Sequence, residues 1–516
     1  MRFIRNHFRS YDLLLLGLAA ALVVLYVRAA GGGFPLDDSW IHQVYGRNLA
    51  QAGEWAFVQG QPSAASTSPL YTVLLAVGYA LTVPYVLWTH LLGGLALLIT
   101  GILGARLAEQ LAPKPRWAGP LTGGAIILAW HLVWAAASGM ETMLFAMFTL
   151  LLVAVVWRER DVESGDAGAI AMRGAIFGIV GALTTETRPE GALLVGLIGL
   201  LLLLARPYKT GRGLMMWGFA AAGGFALFIA PYLVLNLRLT GGLLPDTAAA
   251  KQAQAAAVLG TTSLPQRIWQ MIEPLTAGGQ LLLLPGMVCF AIVQGRALRS
   301  DRRRWLDWLL LLWPVVLILL YAARLPAPYQ HGRYVIPALP CLLVAGMTGL
   351  FWLMEQGRRS LVGRVLTRAL AVSTALVFSY FALLAGPPTY ARDVRIIDEE
   401  MVASALWIKE HIPPEDLLAI HDIGAVGYFA PRPILDIAGL VSPEMIPLIG
   451  DEEATWNWMQ RKDARYLMAF PNQVPGGDTR DSRLCLVFTT DNPTAKAAGG
   501  SNMSIYALAW DGDCLN

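Results

Sequence analysis

The sequence has little charge for its length. Only 15% of its 516 residues are Asp, Glu, Lys or Arg, against roughly 25% in soluble domains, while 56% are hydrophobic. This composition excludes an ordinary soluble globule and predicts an α-helical polytopic membrane protein. The net charge of +3 decides little by itself, because the distribution of cations among the loops sets the orientation of such a protein.

Several chemical motifs are also missing. The sequence contains no Walker A motif, no G-x-G-x-x-G after a predicted strand, no H-E-x-x-H and no C-x-x-C. It therefore predicts neither a nucleotide-binding domain nor a structural zinc site, and nucleic acid is not an expected partner.

Cysteine is scarce, and the four residues divide into two kinds. Cys289 and Cys341 lie inside apolar runs, where a small buried hydrophobe is the usual interpretation. Cys485 and Cys514 lie in the polar C-terminal region, so a disulfide between them is expected if that region is outside the cytosol.

What the sequence does contain is a series of apolar runs near the length that crosses a bilayer, about eleven in all. They lie at 11–30, 85–110, 118–137, 141–157, 172–186, 189–206, 214–237, 276–295, 305–323, 335–355 and 367–386. The first follows Arg2, Arg5 and Arg9 but ends without an A-x-A cleavage pattern, which favours a retained first span over a signal peptide.

The cations fall in alternate loops, which predicts the orientation. With a cytoplasmic N-terminus, the cytoplasmic segments carry Lys114, Arg116, Arg158, Arg160, Arg173, Arg206, Lys209, Arg212, Arg296, Arg299, Arg302, Arg303, Arg304, Arg358, Arg359, Arg364 and Arg368. An odd number of spans then places the loops 31–84 and 239–275, and everything after about residue 387, outside. We expect a multi-pass protein of the cell (inner) membrane.

The chain is expected to have two parts. Residues 1–386 form the membrane unit, and residues 387–516 form a small extracytoplasmic α/β domain. In the second part a helical pattern near Ala403–Ile408 is followed by strand-like runs at 417–420, 434–437, 465–470, 484–488 and 504–508.

Ionisable residues cluster at the outer ends of the predicted spans, whereas the middles of the spans are nearly free of charge. The cluster consists of Asp37, Asp38, His42, Arg47, Glu141, Glu186, Arg188, Glu190, Asp246, Lys251, His331 and Arg333. Transporters tend to place such residues at the bilayer midplane. The pattern therefore predicts a site at the outer membrane surface, beneath the C-terminal domain.

The acidic pair Asp37-Asp38 opens an amphipathic stretch that predicts a helix lying along the interface. One Asp is expected to be the N-cap of this helix, and the other is a candidate general base. Both interpretations hold together, because a cap needs only one carboxylate. The pair could also hold a divalent cation through waters, although the sequence supplies no complete set of ligands.

The outer cations have two interpretations. A lone Arg or Lys at this depth is usually an anchor for lipid headgroups, but four of them converge here on an acidic pair and could clamp a phosphate. These four are Arg188, Lys251, His331 and Arg333. Glu141 and Glu190 fit placement in a first helical turn, and His42 and Asp246 are assigned, with them, to acceptor contacts or to structure.

Ordered motifs extend along almost the whole chain. They are Leu36–Ile41 with Tyr45–Ala50, Ser66–Tyr71, Ser138–Thr142, Thr187–Gly191, Leu244–Thr247 with Lys251, Gly332–Tyr334 and Asp422–Tyr428. This series resembles the membrane GT-C glycosyltransferases, especially those similar to the mycobacterial terminal arabinofuranosyltransferase. Ser39, His42-Gln43 and Met140 depart from the usual residue types of that family, which bears on the sugar and the acceptor more than on the reaction class.

The resemblance implies an inverting glycosyltransferase. Such an enzyme moves a sugar, a pentofuranose or a hexose, from a polyprenyl-phosphate carrier in the membrane to an extracytoplasmic glycan, lipid or protein. By resemblance, Asp37 or Asp38 is the base, and Lys251 and Arg333 bind the donor phosphate. The alternatives are a transporter or flippase of lipid-linked glycans, which the uncharged span centres disfavour, and a structural subunit, which the clustered acids and cations disfavour.

Overall fold

The computed structural model describes residues 9–112, 114–161, 166–208, 210–243, 245, 247–511 and 514, and helices dominate it. Up to residue 386 the helices are α1 (Ser10–Ala30), α2 (Asp37–Ala52), α3 (Pro69–Ala80), α4 (Tyr85–Leu111), α5 (Ala118–Ile127), α6 (Trp130–Ala137), α7 (Thr142–Trp157), α8 (Ala167–Thr187), α9 (Glu190–Ala205), α10 (Gly211–Thr240), α11 (Thr247–Thr261), α12 (Leu264–Ile272), α13 (Leu284–Ala297), α14 (Leu309–Arg324), α15 (Leu339–Gly357) and α16 (Leu361–Tyr380). They are followed by α17 (Gly386–Ile397), α18 (Ala403–His411), α19 (Gly424–Phe429), α20 (Glu452–Arg461) and α21 (Pro493–Ala497).

The chain is a multi-pass membrane protein. Nine helical runs of described residues are long and apolar enough to cross a bilayer, and the pair α5 and α6, bent by 54°, makes a tenth. The runs are Ser10–Ala30, Tyr85–Leu111, Thr142–Asp161, Ala167–Thr187, Gly211–Thr240, Gly279–Ala297, Arg302–Arg324, Tyr329–Gly357 and Leu361–His411. Each of the apolar runs in the sequence overlaps one of these segments, apart from the run at 189–206, which forms the shorter helix α9.

Helix α9 has only sixteen residues, yet it joins the two ends of the helix bundle. At its start, the Arg188 guanidinium contacts Glu141 and Tyr321. At its end, Leu203, Leu204 and Arg206 line a cavity with residues 298–305. A helix of this length spans about 24 Å, which is short but sufficient for a thin part of the bilayer. The described residues thus contain nine or ten candidate spans against the predicted eleven, and α9 is the run that makes the difference.

The loops gather at two ends, one of which carries the C-terminal domain and is called the domain end below. The opposite end holds the cation-rich loops, where Arg160 pairs with the buried Asp307 at 2.9 Å. The alternation of loops follows the sequence prediction. The domain end contains the segments 31–84, 138–141, 188–189, 241–278 and 325–338, and thus the starts of α2, α7, α9 and α11.

The C-terminal domain has a five-stranded sheet flanked by helices, as predicted. Its strands, numbered after the hairpin β1 (Ala56–Val58) and β2 (Gln61–Pro62), are β3 (Leu418–Ile420), β4 (Ile434–Asp436), β5 (Tyr466–Ala469), β6 (Leu484–Thr489) and β7 (Ser504–Leu508). The strand order is β4-β3-β5-β7-β6. Strand β3 is parallel to both of its neighbours, β4 and β5. Strand β7 is antiparallel to both of its neighbours, β5 and β6. Cys485 on β6 is bonded to Cys514, so the expected disulfide is present, and Cys289 and Cys341 are free and buried.

The last membrane helix continues into this domain without a break. One helical run extends from Leu361 to His411, with π-helical segments at Phe381–Ala385 and Asp398–Val402. The boundary expected at residues 386 and 387 therefore lies within a helix. Pro387 does not interrupt the run because it stands in the first turn after the π-helical segment, where its missing N–H group is tolerated.

Candidate active site

Asp37 joins helix α2 to the C-terminal domain. Its carboxylate accepts hydrogen bonds from the N–H groups of Gly424, at 2.7 Å, and Ala425, at 2.8 Å. These are the first two residues of α19, whose N–H groups would otherwise lack helical partners. A Cβ atom at position 424 would lie 2.0 Å from the Asp37 carbonyl oxygen, which explains the glycine.

The expected capping role of the acidic pair needs a correction. The N-cap of α2 is Leu36, without a side-chain bond, and Asp37 instead caps a helix 387 residues downstream. Burial, together with the neighbouring Asp422 carboxylate, raises the pKa of Asp37 to about 8, although the two N–H groups act in the opposite direction. Both oxygens of Asp37 are thus engaged in structure.

Asp38 points elsewhere, into a cavity at the domain end. Its carboxylate pairs with the Arg333 guanidinium at 2.5 Å, and about a third of its side chain is exposed. Burial opposes ionisation, but Arg333 and Lys251 outweigh it and hold the pKa of Asp38 well below its usual range. Asp38 is therefore an ionised carboxylate that faces open space.

Arg333 and Lys251 surround Asp38 from two other elements. Arg333 is buried and donates to the Tyr334 hydroxyl at 3.0 Å as well as to Asp38, which leaves its Nε and Nη1 groups without partners in the described structure. Lys251, on α11, contacts the same hydroxyl at 3.5 Å and pairs with no carboxylate among the described residues. The cavity thus contains two cations with unused donor capacity: Nε and Nη1 of Arg333 lack partners in the described structure, and Lys251 contacts a hydroxyl rather than a carboxylate.

Arg188 differs from Arg333 and Lys251 because two carboxylates bind its guanidinium. Its guanidinium binds Glu141 at 3.1 Å and Glu190 at 3.4 Å, and donates to the Tyr321 hydroxyl at 2.7 Å. Glu141 also lies 3.3 Å from Nε2 of His42. Burial would raise the pKa of Glu141, but His42 and Arg188 lower it to about 2. This network is buried and supports the wall of the cavity.

Three cavities meet at Lys251 and Tyr334, which line all of them. The acid cavity, of about 470 Å³, also contains Asp38, Glu141, Arg188 and Arg333. The domain cavity, of about 1090 Å³, lies beneath the C-terminal domain and includes Asp38 and Asp422. The apolar cavity, of about 1320 Å³, opens between α9, α11 and α14 and is lined by Leu193, Leu320 and Leu325 among others. Asp38 thus lines the first two cavities, and Lys251 and Tyr334 connect them to the apolar one.

One residue that the sequence assigned to the phosphate, His331, is not part of this arrangement. His331 lines none of the three cavities, because its ring turns toward Asp393, 2.7 Å away. Asp246 lies outside the described residues. Glu190 lines the apolar cavity, and His42 lines the acid cavity.

The structure adds residues that the sequence did not single out as site residues. Tyr334 stands at the junction of the cavities, Thr67 and Thr247 line two of them, and His421 and Asp422 enter the domain cavity from the C-terminal domain. Tyr334 and Asp422 do fall within the ordered motifs, which was the available signal. Thr67 also falls within a motif, whereas His421 directly precedes one.

The acidic pair is not arranged as a metal site. Asp37 gives both oxygens to backbone N–H groups, and Asp38 faces Arg333. Over the described part of the chain, no group of three or more His, Cys, Asp or Glu side chains is placed to hold a metal ion. The donor set that the sequence suggested for a divalent cation therefore does not fit one as it stands.

Comparison with known sequences finds a curated relative and a family model, each of which matches part of this chain. The terminal β-(1→2)-arabinofuranosyltransferase of Corynebacterium glutamicum is 28% identical over 400 residues, which is 72% of this chain and 56% of the relative. The chain thus matches little more than half the length of that protein. A family model described as a domain of unknown function, DUF8728, matches residues 391–506, most of the C-terminal domain.

Solved structures of membrane transferases have the same fold. ArnT from Cupriavidus metallidurans bound to undecaprenyl phosphate aligns over 98% of this chain and 100% of its own, with 14% identity and a TM-score of 0.58. The oligosaccharyltransferase AglB from Archaeoglobus fulgidus, in complex with an inhibitory peptide and a dolichol-phosphate, aligns over 98% of this chain and 75% of its own, with 12% identity and a TM-score of 0.56. The chain therefore has the GT-C fold of these membrane glycosyltransferases, and its sequence is similar to that of a terminal arabinofuranosyltransferase.

Proposed function

We propose that this protein is an inverting glycosyltransferase that moves a sugar from a polyprenyl-phosphate carrier to an acceptor hydroxyl. One observation carries the proposal: the ionised Asp38 shares a cavity with Lys251 and Arg333, two cations that retain donor capacity for an anion. A carboxylate beside an anion site provides a base and a place for the leaving phosphate in the same space.

The adjoining apolar cavity supports a lipid-linked donor. It opens between α9, α14 and the domain-end helix α11, and its leucines suit a prenyl chain, whereas Lys251, which it shares with the acid cavity, suits the phosphate. Arg333 would contribute Nε and Nη1 to that phosphate while Nη2 keeps its bond to Asp38. ArnT and AglB, which share the fold, are known in complexes with undecaprenyl phosphate and dolichol-phosphate.

The reaction then follows as a single displacement. The acceptor oxygen attacks the anomeric carbon, the bond from that carbon to the phosphate oxygen breaks, and its electron pair leaves with the phosphate. Asp38 takes the proton of the acceptor hydroxyl, a contribution of about 10² to 10⁴ in rate for a positioned base. Lys251 and Arg333 stabilise the charge on the departing phosphate.

Asp37, Arg188 and the glutamates have supporting roles in this proposal. Asp37 fixes the C-terminal domain over the cavity, and Arg188 is held by Glu141 and Glu190 rather than free for a phosphate. The name of the Corynebacterium glutamicum relative favours a pentofuranosyl donor. The domain cavity would receive the acceptor, a glycan, lipid or protein.

The domain end would lie on the extracytoplasmic side of the cell (inner) membrane. The cation-rich loops at the opposite end support this orientation, because short cytoplasmic loops retain Arg and Lys, and the disulfide Cys485–Cys514 fits an oxidising compartment. After mild reduction, a membrane-impermeant thiol reagent should label these cysteines in intact cells. Labelling that requires opened membranes would reverse the orientation.

Product analysis tests the function itself. The purified protein, given a decaprenyl-phosphate pentofuranose and a neutral oligosaccharide, should release decaprenyl phosphate and form a glycoside with the opposite anomeric configuration, both detectable by NMR. A protein that moves the lipid across vesicles without forming a glycoside would instead fit the flippase alternative.

A further inference from the structure

The backbone immediately before Arg333 has a conformation that L-amino acids rarely adopt. Gln330 and His331 have φ angles of 54° and 58°, and Gly332 follows with a φ angle of 70°. The left-handed region normally holds single residues, most often glycine, and runs of it are rare. A strained segment of this kind persists only where its surroundings hold it, and such segments concentrate at functional sites.

The His331 side chain supplies one of these restraints. Its Nε2 atom lies 2.7 Å from Oδ2 of Asp393, which also accepts a hydrogen bond from Trp134 at 3.0 Å. The imidazole packs edge-on against Trp130 and Trp134, with ring centroids 5.0 and 5.2 Å apart. His331 is therefore fixed by one charged partner and two aromatic rings.

The same turn fixes the backbone position from which the Arg333 side chain extends. The Arg333 N–H group donates to the Gln330 carbonyl at 3.2 Å, and a Cβ atom at Gly332 would come within 3.0 Å of Pro274. The guanidinium then reaches Asp38. A continuous set of contacts thus runs from Asp393, on α17, through His331 and the turn to the carboxylate in the cavity.

We propose that His331 is a positioning residue, which acts through Arg333 and does not touch the donor phosphate. Its bond to Asp393 would hold the left-handed turn, and the turn would aim the Arg333 guanidinium at Asp38 and at the phosphate. The inference depends on the proposed function for the identity of that phosphate. It replaces the sequence prediction that His331 binds the phosphate directly.

A double-mutant cycle measured by lipid binding tests this role. His331→Ala and Asp393→Asn should each weaken the binding of undecaprenyl phosphate by about tenfold, since small displacements of a binding group are costly. In an Arg333→Ala background the same changes should alter the affinity by less than about twofold. His411→Gln, which removes an exposed histidine of the C-terminal domain, is the matched control and should change nothing.

A glycine variant separates the effect of the His331 side chain from the effect of the backbone conformation. Gly adopts the left-handed region readily, so His331→Gly keeps the turn accessible but removes the bond to Asp393, and it should behave like His331→Ala. Wild-type affinity in His331→Gly would overturn the proposal, as would an undiminished effect of His331→Ala in the Arg333→Ala background.

A measurement without ligand keeps the inference independent of the proposed function. Hydrogen exchange in peptides covering residues 330–335 should accelerate in His331→Ala and Asp393→Asn but not in His411→Gln, and unchanged exchange would also overturn the proposal. If the wild-type protein binds the lipid but transfers no sugar, the proposed function is wrong. The double-mutant cycle measured by lipid binding would still test the role of His331.

Discussion

The Asp38 carboxylate and the Arg333 guanidinium lie 2.5 Å apart, although 295 residues separate them in the chain. This pair joins the first loop of the domain end to the segment before α15. Its geometry places the proposed base beside a proposed phosphate ligand, and it distinguishes Asp38 from Asp37, whose oxygens are occupied by α19.

Asp37 should matter for stability because it holds the C-terminal domain on α2. Asp37→Ala removes two buried hydrogen bonds from backbone N–H groups and is expected to cost about 2 to 4 kcal/mol. The matched control is Asp451→Ala, which removes the cap of α20 without touching the membrane unit and should cost about 1 kcal/mol. Thermal unfolding monitored by tryptophan fluorescence compares the two variants. Equal losses of stability would contradict the proposed role of Asp37 in holding the C-terminal domain on α2.

The raised pKa of Asp37 should make stability depend on pH. The unfolded chain releases this proton near pH 3.9, whereas the folded protein holds it to about pH 8. Between these values the folded state binds more protons, so the free energy of unfolding should decrease as the pH rises from about 4 to about 8. Asp37→Asn should remove this component, and an unaltered pH profile in that variant would refute the assignment.

Lys251 should contribute to donor affinity. Lys251→Met keeps much of the side-chain length but removes a cation from the junction of the three cavities, so undecaprenyl phosphate should bind about ten- to hundredfold more weakly. Lys462→Met, at an exposed lysine that pairs with Glu444, is the control. Isothermal titration with the lipid in detergent measures both, and equal affinities would place the phosphate elsewhere.

The buried network around Arg188 should be far more sensitive than an exposed ion pair. Glu141→Gln removes one of the two carboxylates that bind the buried Arg188, and breaking a buried ion pair of this kind is expected to cost about 3 to 5 kcal/mol. Glu355→Gln breaks the exposed pair with Arg358 and should cost no more than about 1 kcal/mol. Denaturation midpoints of the two variants give the comparison, and similar values would mean that the network is not structural.

The sequence predicts the helices and the location of the site because both depend on local signals. Apolar runs of bilayer length become helices, and acids and cations at the ends of those runs must lie near one another. The roles within the site depend instead on distant partners. Asp37 and Asp38 are adjacent in sequence, but only the positions of Gly424 and Arg333 show which carboxylate is held and which faces the cavity.

His331 and Arg188 illustrate the same limit. Both are basic residue types at the domain end, and the sequence pattern does not distinguish them from Lys251. The left-handed turn directs His331 to Asp393, and Glu141 and Glu190 reach Arg188 from the ends of two other helices. Neither the unusual φ angles nor the carboxylate partners leave a periodic signal in the sequence.

The most direct test of the account is the transfer of a labelled sugar from polyprenyl phosphate to a glycan acceptor in proteoliposomes that contain the wild type, Asp38→Asn or Asp37→Asn. Asp38→Asn should bind undecaprenyl phosphate but transfer about 10² to 10⁴ times more slowly, whereas Asp37→Asn should lose stability more than rate. Full activity of Asp38→Asn would contradict its role as the base.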